Sequence, residues 1–88
     1  MKPEELYQGL KDLAEKLDVA VSERNLRKPG AKVKSGLCKI KGAYCFIMDK
    51  HLSLRDKNEL LAACLKDFIS EDIYVIPAVR DFINKSSD

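Results

Sequence analysis

The stretch from Gly36 to Met48, GLCKIKGAYCFIM, constrains the fold of this chain most strongly, because it predicts a β-hairpin. Gly42 supplies the turn, either as Lys41-Gly42 or as Gly42-Ala43 in a type II′ turn. In both cases the side chains alternate between the two faces of the sheet. One face carries Cys38, Ile40, Cys45 and Ile47, and the other carries Lys39, Lys41, Tyr44, Phe46 and Met48.

Three helices are predicted around the hairpin from their start signals and their apolar spacing. Proline suits the first turn of a helix, where its missing N–H has no partner to lose, and serine is a favoured N-cap, here with Asp56 three residues later. Apolar residues then recur at helical spacing. The predicted helices run from Pro3 to about Leu17, from the Ser53 cap to about Phe68, and from Pro77 to about Asn84.

The remaining segments complete a small α+β domain. Val19–Val21 is a short β-prone run, and Ile73–Ile76 is predicted to be extended because a residue before proline avoids the helical region. Residues 24–35 are predicted to form a basic loop and residues 86–88 a flexible tail. A chain of 88 residues fits one domain, 1–88. We therefore predict three helices packed on a small antiparallel sheet that contains a central β-hairpin.

The composition points to a soluble protein of a reducing compartment. The chain is 45% hydrophobic and 34% charged, and no apolar run approaches the ~20 residues that span a bilayer. Glu4 and Glu5 stand where a signal peptide needs apolar residues. An odd number of cysteines, three, argues against a secreted disulfide scaffold. We expect a cytoplasmic location and no membrane partner.

Positive charge is concentrated between residues 24 and 48, where seven of the 16 basic residues lie and none of the 14 acidic ones. Such asymmetry suits an anionic partner or self-association. A nucleic-acid-binding accessory protein using segment 24–41 is therefore an alternative function. The lack of an RNP-type aromatic signature and a pI near 8.4 make it the less favoured one. The predicted anion or nucleic-acid contacts are Arg24, Arg27, Lys28, Lys32, Lys34, Lys39 and Lys41.

No residue pattern predicts a catalytic, cofactor-binding or metal-binding site. The candidates for a cysteine nucleophile or a metal site are Cys38, Cys45, Cys64 and His51. Their spacing is not that of a zinc finger or ribbon, and cysteine commonly acts as a small buried hydrophobe. His51 lies in the short link between the hairpin and the next helix, where a solvated residue is the simpler interpretation. We therefore favour a non-enzymatic protein.

The order of helix, short strand, loop, hairpin, DKHLS and helix is similar to that of the ImmA/IrrE-type zinc metallopeptidases, over roughly residues 4–68. Those proteins carry His-Glu-x-x-His on the helix after the hairpin, with two imidazoles for zinc and a carboxylate as base. Laying LLAACLKDF over that motif puts Ala63 and Cys64 at the first His and the Glu, and Asp67 at the second His. The resemblance thus implies a degenerate metallopeptidase-like domain that lacks the motif.

Three stretches, GLCKIKG, LSLRDKNELLAACLKDF and EDIYVIPAVRDF, resemble short bacterial proteins of unassigned function. That resemblance implies a bacterial source and supplies no activity. The preferred hypothesis is a protein–protein interaction module, either a homodimer or an accessory subunit of another protein. The predicted interface residues are Tyr44, Phe46, Tyr74 and Ile76.

Overall fold

The computed structural model describes residues 1–26 and 36–85. Its elements are α1 (Pro3–Lys16), β1 (Val19–Arg24), β2 (Gly36–Ile40), β3 (Ala43–Asp49), α2 (Leu54–Lys66) and α3 (Pro77–Lys85). The predicted α+β class is confirmed, and so are the three helix starts. Ser53 caps α2 through its hydroxyl oxygen, which accepts a hydrogen bond from the backbone N–H of Asp56 at 3.1 Å. Residues 73–76 form no strand before α3, with a bend at Ile73.

The sheet has the order β1-β3-β2, with β2 antiparallel and β1 parallel to the central strand β3. The hairpin of the predicted antiparallel sheet is confirmed, whereas the parallel pairing of β1 makes the sheet mixed. The physical reason lies in the connection: the chain between β1 and β3 is long enough to return to the end of the sheet where β1 starts, as a parallel pairing requires.

The hairpin forms with the first of the two predicted turns. Cys38 pairs with Cys45 and Ile40 with Ala43, which leaves Lys41-Gly42 as a two-residue turn. Both turn residues have positive φ, 52° and 84°, as a type I′ turn requires. Glycine adopts this backbone freely, whereas Lys41 adopts it at some cost in free energy.

Helices α1 and α2 pack on the sheet face that carries Tyr44, Phe46 and Met48, so the prediction that all three helices pack on the sheet holds for two of them. α1 packs against β1 and α2 against β3, while α3 closes the far side of α1 and α2. The fully buried side chains include Leu10, Met48, Leu61, Leu65, Val79 and Ile83. α1 and α3 approach so closely that a Cβ added at Gly9 would lie 2.9 Å from Cγ2 of Val79. The helices therefore cover β1 and β3 more fully than they cover β2.

Candidate functional site

The described members of the predicted basic segment do not form one patch. Arg24 ends β1 opposite Asp49, whereas Lys39 and Lys41 lie at the hairpin turn, next to Ala43. These are the two ends of β3, about 20 Å apart at ~3.3 Å per residue. The other predicted contacts, Arg27, Lys28, Lys32 and Lys34, lie outside the described residues, as does most of the predicted basic loop.

The four predicted interface residues differ in their accessibility. Phe46 is 6% exposed and belongs to the core, so its ring is turned inward. Tyr44 is 38% exposed, and its ring meets Phe68 edge to face with the ring centroids 5.1 Å apart. Tyr74 and Ile76 are 69% and 46% exposed, and they lie beside α1 just before α3.

The outer edge of β2 has no partner strand among the described residues, since β2 is the last strand of the sheet. In a hairpin with a two-residue turn, the residues that flank the turn form a hydrogen-bonded pair, and every second pair along the ladder does the same. Here those pairs are Ile40 with Ala43, Cys38 with Cys45 and Gly36 with Ile47. The peptide groups of Leu37 and Lys39 therefore point away from β3.

Apolar side chains flank this edge on both faces of the sheet. Leu37 is 44% exposed and lies on the helix side, while Ile40 is 51% exposed and lies on the opposite side. Together with the outward peptide groups of Leu37 and Lys39, these two side chains make up what we call the β2 edge. It offers hydrogen bonds and apolar surface at the same place.

An open groove of about 380 Å³ lies beside the β2 edge, between β2 and α2. We call it the β2 groove. Its lining is mostly apolar, and it includes Leu60, which is 39% exposed. The lining residues are Gly36, Leu37, Phe46, Leu60, Ala63, Cys64 and Asp67. Asp67, the C-cap of α2, supplies the carboxylate of the groove.

The candidate cysteine and metal residues are not brought together. Cys64 lines the β2 groove on the helix side of the sheet, whereas Cys38 and Cys45 point to the opposite face. The Cys38 thiol donates a hydrogen bond to the Cys45 carbonyl oxygen, with Sγ and O 3.4 Å apart. His51 is exposed in the link before α2. Within residues 1–26 and 36–85, no three or more His, Cys, Asp or Glu side chains could hold a metal ion together.

Burial makes Cys64 a poor nucleophile. Desolvation of the thiolate raises the pKa of Cys64 to about 11, and the negative charge of Asp67 contributes to the increase. Because the thiolate is the reactive form, a thiol with this pKa is almost entirely protonated at neutral pH. The side chain therefore packs against the core as an apolar group.

The positions implied by the metallopeptidase resemblance all line the β2 groove. Ala63, Cys64 and Asp67 offer there a methyl group, a protonated thiol and one carboxylate. A zinc peptidase holds its metal with imidazoles one helical turn apart and needs a further carboxylate as base. These residues do not fit a zinc ion, and no reaction step through zinc is derived from them.

A polar cluster that the sequence did not predict joins α1, β1 and α2. The Tyr7 hydroxyl donates a hydrogen bond to Oε2 of Glu23 at 2.5 Å, and Nζ of Lys57 donates one to Oε1 at 2.7 Å. The Lys57 ammonium and the Tyr7 hydroxyl lower the pKa of Glu23, which therefore stays ionised. Burial, followed by the Glu23 carboxylate, raises the pKa of Tyr7. No local pattern could reveal this cluster, because its members are far apart in sequence.

Comparisons of the chain with protein-family models, with curated proteins and with solved structures each return no match. Among the described residues, no helix combines the length and apolar character that crossing a membrane requires. The case for a function therefore rests on the β2 edge and the β2 groove.

Proposed function

We propose that this protein is a non-enzymatic interaction module that self-associates through the β2 edge. The single observation that carries the proposal is the juxtaposition of outward peptide groups, which no strand of the described residues pairs, with exposed Leu37 and Ile40 on the last strand of the sheet. Two copies joined there form one continuous sheet from two three-stranded ones. Pairing at an exposed sheet edge is a common mode of protein recognition.

Folded proteins normally protect the edge strands of their sheets. An exposed edge is a template for another strand, and proteins block it with charges, prolines, bulges or a covering element. β2 carries one charged residue, Lys39, and two exposed apolar ones. The adjoining β2 groove adds exposed Leu60 beside the same edge. An edge of this composition favours pairing over solvation.

A second copy of the chain is the partner we propose. Two identical strands can pair antiparallel about a two-fold axis, so that each supplies the groups that the other lacks. Dimers with this symmetry are the commonest oligomers of soluble proteins. Tyr44, half exposed on the adjoining strand, flanks the interface, whereas Tyr74 and Ile76 have no part in it.

We also propose that the protein resides in the reducing cytoplasm, as the sequence predicts. Cys38, Cys45 and Cys64 are all free thiols, and a free thiol persists where the surroundings are reducing. Fractionation of the source cells, followed by immunodetection, tests this location. Recovery in an oxidising compartment contradicts it.

Sedimentation velocity over a range of protein concentrations tests the proposed self-association. We expect the wild-type chain to sediment as a dimer at high concentration, and the variant Ile40→Asp to remain monomeric because it places a charge on the edge. Ala20→Asp, an exposed site on the same sheet face of β1, is the matched control and should still dimerise. A wild-type chain that stays monomeric throughout overturns the proposal, as does equal disruption by both substitutions.

A further inference from the structure

We infer that the two β2 strands of the dimer pair about a two-fold axis at Cys38, so that Leu37 of one copy lies opposite Lys39 of the other. This inference rests on the proposed self-association and adds the register, the contacts across the axis and a residue that selects the partner. It follows from the peptide groups of β2 that point away from β3 and from the sheet faces on which its side chains lie.

The register follows from the outward peptide groups. In an antiparallel pair of identical strands, hydrogen bonds must join groups that face the partner, and in β2 these belong to Leu37 and Lys39. With the axis at Cys38, Leu37 of each copy forms hydrogen bonds with Lys39 of the other copy. Both outward peptide groups of each strand are then satisfied.

The neighbouring registers are less favourable. An axis at Lys39 sets two like charges directly opposite each other, which destabilises a strand pair. It also sets Leu37 opposite Lys41, whose positive φ of 52° takes it out of the strand. An axis at Leu37 leaves Lys39 opposite residue 35, outside β2. The register centred on Cys38 is therefore the one that uses the whole strand.

Charge complementarity favours a second copy of the chain as the partner at the β2 groove. In this register the Lys39 side chain of one copy lies beside Leu37 of the other, on the helix side of the sheet and at the mouth of the β2 groove. Asp67 lines that groove at the C-terminal end of α2, where the helix dipole disfavours a negative side chain. The incoming Lys39 ammonium compensates both the carboxylate and the dipole. The same contact forms twice, once in each groove.

The Cys38 thiols then meet across the axis. Cys38 of one chain lies opposite Cys38 of the other, in a pair without backbone hydrogen bonds. The Cα atoms of such a pair are about 4.5 Å apart, and a disulfide can form at this separation. Cys45 shares the same sheet face but lies one strand further in. The distance from Cys45 of one chain to Cys45 of the other is three strand spacings, or about 14 Å. A disulfide therefore reports the register directly.

Cross-linking of single-cysteine chains tests the register. One chain keeps Cys38 and carries Cys45→Ser and Cys64→Ala; the matched control keeps Cys45 and carries Cys38→Ser and Cys64→Ala. The oxidant is oxidised glutathione, whose sulfur–sulfur bond accepts the electron pair and both thiol protons and leaves as two glutathione thiols when the interchain bond forms. Non-reducing electrophoresis should show a covalent dimer for the Cys38 chain and none for the Cys45 chain.

Sedimentation of the same two chains before oxidation separates this inference from the proposed function. A Cys38 chain that sediments as a dimer but does not cross-link overturns the register and leaves self-association standing. Equal cross-linking of both chains also overturns the register. A monomeric chain overturns the proposed function and the register with it.

A charge exchange provides a second test that does not depend on the thiols. Lys39→Asp and Asp67→Lys should each raise the dimer dissociation constant about tenfold or more, since each leaves like charges facing across the interface. The double variant restores an opposite pair and should recover most of the affinity. Strictly additive losses, with no recovery, show that the two side chains do not meet and overturn the register.

Discussion

The two edges of the sheet are built differently, although both strands are short and both border the same central strand. β1 ends in Ser22, Glu23 and Arg24, and none of the exposed large apolar side chains among the described residues belongs to it. β2 presents Leu37 and Ile40 to solvent. The β1 edge ends in two charged residues where a pairing strand would have to approach, whereas the β2 edge carries one, Lys39, between its two exposed apolar side chains.

The edges also differ in how they are anchored to the helices. Glu23 of β1 accepts hydrogen bonds from Tyr7 of α1 and Lys57 of α2, so that the strand is tied to both helices. Lys39 of β2 has a weaker contact, with its Nζ 5.3 Å from the centroid of the Tyr44 ring. Polar anchoring of β1 therefore stabilises the monomer, whereas we propose that the exposed surface of β2 serves association.

Hydrogen exchange gives the largest expected difference between the edges. In dilute protein the Leu37 and Lys39 amides should exchange far faster than the Cys38 and Cys45 amides, which are bonded within the hairpin. Raising the concentration should slow Leu37 and Lys39 by about a hundredfold or more as they become paired, since exchange then needs dissociation or opening. Amides on the outer edge of β1 should not respond to concentration. Protection of the β1 edge alone contradicts the comparison.

Weakening the hydrogen bonds of Glu23, which anchor β1, should lower the free energy of unfolding. The corresponding change on β2 should leave it nearly unchanged. Glu23→Gln should lower the free energy of unfolding by ~1–2 kcal/mol, because it weakens two charge-assisted hydrogen bonds that are partly screened by solvent. Lys39→Met, the matched control on β2, should change it by less than ~0.5 kcal/mol. Urea unfolding in the Ile40→Asp background measures both values without the contribution of dimerisation. Equal losses show that the β1 cluster is not an anchor.

The pH dependence of stability should carry the signature of the same cluster. The pKa of Glu23 is lowered by Lys57 and Tyr7, so its stabilisation is present above its unfolded pKa, about 4.3, and is lost as pH falls through the folded value. The pKa of Tyr7 is raised by burial and by Glu23, so its stabilisation is lost as pH rises above about 10.

Difference curves isolate these two contributions from those of other titrating groups. Glu23→Gln should flatten the acid side of the curve relative to wild type, and Tyr7→Phe should flatten the alkaline side. Urea midpoints measured across the pH range supply the curves. An acid limb that is identical in wild type and in Glu23→Gln contradicts the assignment.

The smallest expected effects concern the residues with positive φ that border the two edge strands. Asp18 precedes β1 with φ 59°, and Lys41 follows β2 with φ 52°. Lys41→Asn should stabilise the hairpin by ~0.5 kcal/mol, because Asn-Gly is a favoured type I′ pair. Asp18→Gly should gain a similar amount at the end of α1. Thermal unfolding detects both, and a loss at Lys41→Asn shows that the turn is not type I′.

Features set by single residues could be predicted from the sequence. Pro3, Ser53 and Pro77 each begin a helix for a local reason, and Gly42 sets the turn of the hairpin. The direction of β1 could not be predicted, since a short apolar strand such as Val19–Val21 has the same pattern when paired in either direction. Its parallel pairing with β3 is decided by the long connection and by packing under α1.

The candidate site was harder to predict from the sequence than the fold. No sequence pattern marked Leu37 and Leu60 as surface residues, and their exposure arises because α2 lies over β3 rather than over β2. Phe46 was predicted as an interface residue and is buried, because its sheet face is the one that the helices cover. Which face a helix chooses is a tertiary property that alternation alone does not reveal.

The mixed sheet has a consequence for the chain as it leaves the ribosome. β2 and β3 are neighbours in sequence, and hairpins close within microseconds once both strands are available. β1 is made well before β3, so its backbone must wait unpaired while the rest of the sheet is translated. We expect Glu23 and Arg24 at its end to act during this interval as gatekeepers against aggregation of the nascent chain.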